Sequence, residues 1–311
     1  MKRHWIVAAA IVAALTALGL PASAGASTGE PGASSGGHTV ASARRLPTVE
    51  TPAYIPGMNG KAMRIGPRPE TSAGGDAQST WSGYEGIVCS TCQLRYVTAT
   101  YTVPSVNCVD SDIGTSGYAF MYLWTGLDGF EVDGSVEQDG IAAYCSSTTG
   151  PASYYAWYDI CCTGPGLQIP DLATPIQAKD EVSSNVEWDT STDKYEFSFD
   201  DITKDEGWTE SQACPSGSTC ENKTAETVIE IPDGGPPYYD VPDFGSDAIS
   251  NDHTTWLDGT KGDLCGASGK SWEESSTSVV DAAGNTDVYP STPPTTCSGP
   301  DGFTEYFKGS D

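Results

Sequence analysis

Tyr195, Phe197 and Phe199 alternate with Glu196, Ser198 and Asp200, the period-2 pattern of a strand with one buried and one wet face. Tyr96–Val103 is β-branched and aromatic and stops at Pro104. Tyr118–Trp124, Ser153–Ile160, Ser184–Trp188 and Ala225–Ile231 read as further strands, separated by Gly, Pro, Asp and Ser clusters. Helical periodicity is nearly absent after residue 80. The predicted fold is therefore an all-β sandwich, and residues 80–311 suit one domain of that class.

That stretch is strongly acidic. It holds 38 Asp+Glu against eight Lys+Arg, net −30, whereas residues 1–79 carry +3 and the whole chain −27. Phosphate contacts need clustered Lys and Arg, so nucleic acid is excluded as a partner, and an anionic membrane surface with it. Self-repulsion of so large a like charge destabilises a compact state at neutral pH. Protonating carboxylates relieves it, which points to a protein suited to acid, although acidic surfaces also suit high salt.

The N-terminus has the layout of a secretory signal. Lys2 and Arg3 precede an apolar run from Trp5 to Leu20, and Ala22-Ser23-Ala24 supplies a small-x-small cleavage site. Residues 1–24 are therefore expected to be removed on export, leaving a secreted protein with no membrane association. Residues 25–79 are rich in Gly, Ser, Ala and Pro and lack the apolar content to offset their ordering entropy. They read either as a flexible leader or as a pro-segment whose Arg44, Arg45, Lys61, Arg64 and Arg68 dock on the acidic body. The ten Cys all lie beyond residue 80, and an even number in an exported chain implies up to five disulfides. Cys214 and Cys220 are placed to staple a local loop. Cys89-x-x-Cys92 has no second pair at zinc spacing, and neither a metal nor a cofactor is expected.

Common catalytic machinery is missing. Gly-x-Ser-x-Gly occurs only at 25–29 and 32–36, within the leader, where no strand–helix elbow presents the serine. His253 is the one histidine of the body and reads as a lone, exposed loop residue. Asp200, Asp201, Asp205 and Glu206 miss the EF-hand spacing and read as a solvated acidic loop. Asp189-Thr190-Ser191 is a faint match to an aspartic-peptidase half-site without its second copy. What remains is carboxylate and carboxamide chemistry, which runs proton transfers without histidine, best in acid.

Four ordered segments narrow the choice: Trp124-Thr125-Gly126-Leu127-Asp128-Gly129, Ser135–Gly140, Tyr155–Asp159 and Ala225–Glu230. With Trp81–Tyr84, Tyr101–Pro104 and Pro242–Gly245, the chain resembles the glutamic peptidases, the eqolisin family of secreted acid proteases. The resemblance implies a sandwich of two antiparallel sheets, jelly-roll or concanavalin-like, in residues 80–311. It also implies protein or peptide substrates, a monomer, and a catalytic Gln–Glu pair. The family glutamine falls on Gln138 and its glutamate on Glu226. Trp124, Asp128 and Trp157 fall on positions lining the substrate site, and Asp159 replaces a longer acid there. Glu226 would take a proton from water and later return it to the leaving amine, while the Gln138 NH₂ holds the oxyanion. Losing such a donor costs about 3–4 kcal/mol of barrier, and an unperturbed Glu titrates near about 4.3.

The residues also have plain readings. On a strand, Glu226, Val228 and Glu230 share one face, which ordinarily means a solvated surface. Gln138, sharing a face with Val136, would be a polar loop-end residue, and Trp124 and Trp157 core aromatics. Thr227, where an aromatic is expected, suggests altered packing beside the cleft, and Asp139 a charge added beside Gln138. A sugar-active or sugar-binding sandwich, and a catalytically inactive peptidase-like binding module, are the alternative functions.

Overall fold

The structure is a computed structural model and describes residues 80–87, 93–109, 113, 118–129, 135–161, 166–231, 240–263, 273–280, 286–291 and 302–309. The expected signal segment, the leader and its Gly-x-Ser-x-Gly copies lie outside these residues, as do Cys89, Cys92, Cys162, Cys265 and Cys297.

The described elements are strands only. They are β1 (Trp81–Ile87), β2 (Leu94–Thr102), β3 (Ala119–Leu127), β4 (Val136–Cys145), β5 (Ser153–Cys161), β6 (Glu181–Asp189), β7 (Lys194–Asp201) and β8 (Glu206–Ala213). Then follow β9 (Thr224–Glu230), β10 (Ser246–Trp256), β11 (Lys261–Asp263), β12 (Glu273–Thr277), β13 (Val279–Val280), β14 (Thr286–Pro290) and β15 (Gly302–Phe307). One sheet runs β12-β1-β9-β3-β4-β5 and the other β13-β14-β15-β10-β2-β6-β7-β8, with β11 beside β10. Every strand pairing within them is antiparallel. The chain is an all-β sandwich, as the strand pattern implied.

The alternation of β7 has the expected cause: Tyr195, Phe197 and Phe199 are buried against the first sheet, and Glu196 and Asp200 face water. Between the sheets, Leu123, Leu127, Ile141, Ile160 and Ile229 meet Val97, Val182, Val186 and Phe197. The other face of the first sheet carries a second apolar cluster of Trp81, Tyr122, Trp124, Val136, Ala142, Trp157 and Val228. With both faces covered, β3, β4 and β9 are buried along nearly their whole lengths.

Two disulfides join described residues. Cys108–Cys145 ties the segment before β3 to the end of β4, and Cys214–Cys220 closes the loop after β8 as the sequence suggested. Cys161 is disulfide-bonded as well.

Several sequence readings change. Asp201 is not solvated: it is buried and pairs with Lys204 at 3.0 Å, while Lys204 also bonds Asp180. Asp189 accepts hydrogen bonds from the Ser191 amide and hydroxyl and from the Thr192 hydroxyl, which hold it down to about 2. It is the last residue of β6, and its carboxylate holds the turn of the β6–β7 hairpin. His253 sits on β10 rather than in a loop, half-buried, with Nδ1 3.0 Å from the Asn251 carbonyl.

Candidate active site

Strand register assembles the site. Glu226 on β9 lies opposite Gly126 on β3, and Gly126 opposite Gln138 on β4. Gln138 is opposite Asp159 on β5, and on the far side Glu226 is opposite Glu85 on β1. Paired residues of adjacent strands project to the same face, so Glu85, Glu226, Gln138 and Asp159 form one row interrupted by a glycine. The strands of Glu226 and Gln138 are two spacings, about 10 Å, apart. Gly126 keeps the space between them open. A methyl there would lie 2.8 Å from the Glu137 carbonyl oxygen and 3.0 Å from the Trp124 ring.

This row belongs to the face of the aromatic cluster. Trp124 meets Trp81 edge to face at 5.0 Å, and Tyr122 meets Trp157 at 5.2 Å. The Trp124 indole N–H donates to Glu230 at 2.9 Å. Glu230 and Glu226 are thus buried on one face rather than solvated. Gly140 permits this packing, since a Cβ there would sit 2.2 Å from the Leu123 carbonyl oxygen and 2.8 Å from Cβ of Trp124. Past the edge of β5, Gln168 pairs with Tyr158, and Leu167 and Ile169 pack on the aromatic cluster.

Burial favours the protonated form of the acids of the site. Burial pushes Glu226 well above the usual carboxylate range, assisted by the charges of Asp128, Glu85 and Glu137. Among the described residues, neither of its carboxylate oxygens has a partner in hydrogen-bond geometry, although the Thr224 hydroxyl, two residues away on the same face, is near enough to oppose the rise. Burial raises Asp159 to about 7.

Asp128 has a different part from the substrate contact the resemblance implied. Its backbone turns to a φ of 63°, and its buried carboxylate accepts from the amides of Glu221, Asn222 and Lys223 at 2.6 Å each. Its own amide donates to the Thr224 carbonyl at 2.9 Å. It thereby clamps the segment that leads into β9, two residues ahead of Glu226. Its carboxyl is raised by burial and restrained by those amides.

Two departures from the family pattern fall outside the site. Asp139 and Thr227 project toward the other sheet: Asp139 accepts from the Asn185 amide at 3.4 Å, and the Thr227 hydroxyl donates to Asp252 at 3.0 Å. Asp139 therefore adds no charge on Gln138's face, and Thr227 does not line the cleft. Glu85 and Gly126 were not singled out in the sequence. The period of two from Trp81 through Gly83 to Glu85 is the signal that marks Glu85. Among the described residues, no group of three or more His, Cys, Asp or Glu side chains is arranged to hold a metal.

The family model described as the Peptidase A4 family matches residues 79–289. The chain belongs to that family. Peptide-bond hydrolysis is accordingly the chemistry its membership supports, with peptides as substrates. Among solved structures, it is similar to scytalido-glutamic peptidase with a transition-state analogue inhibitor: 20% identity, TM-score 0.56, covering 73% of this chain and 98% of that one. It is also similar to SCP-B, an eqolisin in complex with the tripeptide Ala-Ile-His, at 19% identity and TM-score 0.55, again over 73% and 98%. These likenesses establish the fold. No curated protein matches the chain by sequence.

Proposed function

We propose that this protein is an exported acid endopeptidase in which Glu226 and Gln138 hydrolyse the peptide bond. The observation that supports it is the register row, with a titratable acid and a non-titrating carboxamide flanking the gap over Gly126. In the ionised form, Glu226 takes a proton from a water in that gap, and the hydroxide attacks the carbonyl carbon. The Gln138 NH₂ donates to the oxyanion, in a buried setting where such a bond is strong. Glu226 then gives the proton to the departing amine, and the C–N bond breaks. Trp124 and Trp157 line the same face, and the Trp157 indole N–H has no acceptor among the described residues, so it can donate to a substrate carbonyl.

Export with removal of residues 1–24 belongs to the same proposal. The test is cleavage of acid-denatured haemoglobin from pH 2 to 7 by wild type, Glu226→Gln and Gln138→Ala. Glu226→Gln should fall to background, and Gln138→Ala should lose about 10²–10³ in kcat. Unimpaired variants would overturn the assignment.

A further inference from the structure

One buried acid in the row has no part in the hydrolysis just described. Glu85 is fully buried and lies opposite Glu226 across the β1–β9 pairing. Directly opposed residues of an antiparallel pair have Cα atoms about 4.5–5.5 Å apart and side chains on the same face. The two carboxyls therefore leave the sheet side by side.

The surroundings of Glu226 make this neighbour distinctive. On its own strand the same face offers the Thr224 hydroxyl and, four residues on, Glu230, which accepts from the Trp124 indole; on β3 it meets Gly126, which has no side chain. Beyond that glycine, β4 presents Gln138, which is neutral, and β5 presents Asp159. Asp128 also bears on Glu226, and more strongly than Glu85, as a carboxylate whose charge three backbone amides favour; it lies outside the register row. Glu137 bears on it from β4 but projects from the opposite face, where the Ser135 hydroxyl bonds it. Toward the sheet edge, Glu85 is flanked in register by Ser275 of β12. Glu85 is the acid immediately next to Glu226 in the row.

We propose that Glu85 is a positioning residue of this centre: its carboxyl, set beside Glu226 by the β1–β9 register, competes with it for a proton and so sets the pH at which Glu226 becomes a base. The inference rests on the reading of Glu226 as that base. Two like charges in one desolvated site cannot both form cheaply, so the pair releases its protons in two steps. With Glu85 charged first, Glu226 keeps its proton to higher pH. Only after losing that proton can Glu226 take one from water and pass it to the leaving amine.

The test is the pH profile of kcat/KM for wild type, Glu85→Gln, Glu85→Asp and Glu226→Gln on one peptide substrate. Removing the charge should move the acidic limb of Glu85→Gln down by about one to two pH units, the size of one like charge at this separation. Glu85→Asp, which keeps the charge, should retain most of the wild-type limb. A merely structural Glu85 would change the amplitude in both variants and leave the limb in place, and that result overturns the inference. An active Glu226→Gln instead overturns the catalytic reading itself. Should Glu85→Gln fail to fold, the carboxyl ¹³C resonance of Glu226 in the wild-type protein decides. Movement in two steps between pH 2 and 9 supports the pair, and a single step refutes it.

Discussion

Glu305→Gln should stabilise this protein at neutral pH and leave it nearly unchanged in acid. Asp247 and Glu305 are cross-strand neighbours on β10 and β15, buried between the sheets, where the Ser82 hydroxyl donates to Glu305 at 2.7 Å. Burial raises each to about 8, and Asp247 adds to the rise at Glu305. Both folded values exceed the unfolded ones, starting from 3.8 for Asp247 and 4.5 for Glu305. Between roughly pH 4 and 8, then, the unfolded chain has released protons that the folded chain keeps, and stability falls as pH rises. Their full contribution is present below pH 4 and gone above pH 8. At about 1.4 kcal/mol per unit, Glu305 costs about 3 kcal/mol at pH 7 and Asp247 about 4. The sum is a large share of the roughly 5–15 kcal/mol that holds a domain folded.

A neutral amide at 305 removes the Glu305 part and keeps an oxygen for Ser82. Urea unfolding followed by tryptophan fluorescence at pH 4, 5, 6, 7 and 8 measures the effect. With a slope of about 3 kcal/mol/M, the variant's midpoint should exceed wild type by about 1 M at pH 7. The two midpoints should nearly coincide at pH 4. A gap that stays constant from pH 4 to 8 would refute the linkage, because a packing change carries no pH dependence.

Two further outcomes follow from the site. Asp128→Ala strips acceptors from three backbone amides that precede β9, and should cost about 2–4 kcal/mol in thermal or urea unfolding; kcat should drop more than KM rises, since Glu226 stands just beyond that segment. Asp159 lies opposite Gln138 and titrates near about 7. Its ionised form would draw the Gln138 NH₂ and repel the oxyanion, so activity should fall as pH rises through that value. Asp159→Asn should extend the alkaline limb of kcat/KM upward, and an unchanged limb would remove Asp159 from this part.

The lifted proton of Glu226 also revises a sequence-level expectation. An ordinary glutamate would put the acidic limb near about 4.3, whereas the buried carboxyl should place it higher. Acid remains the favoured side of neutrality, for stability because Asp247 and Glu305 prefer their protons.

Strand identity was legible in β7, where one face is wet, but not in β10, whose alternation is broken by short polar residues. The alternation of β7 survives intact because Tyr195, Phe197 and Phe199 enter the core while Glu196 and Asp200 do not. β4 was not legible as a strand. Glu137, Gln138 and Asp139 run together in the sequence, and three polar residues in a row conceal a period of two. In the fold, Gln138 enters the site, while Glu137 and Asp139 turn to the other sheet. The same alternation removes Thr227 and Asp139 from a cleft that their neighbours occupy.

From the chain alone came the all-β class, the acid-rich body and the Cys214–Cys220 loop, while Gln138 and Glu226 were expected through the family resemblance. These are local: a side-chain period, a charge count, a short spacing, a motif. The tertiary structure decided that the two residues share a row across Gly126, that Asp128 clamps the approach to β9, and that Glu85 stands next to Glu226. Register between strands over a hundred residues apart follows from how both faces of the sheet pack. No stretch of sequence carries that on its own.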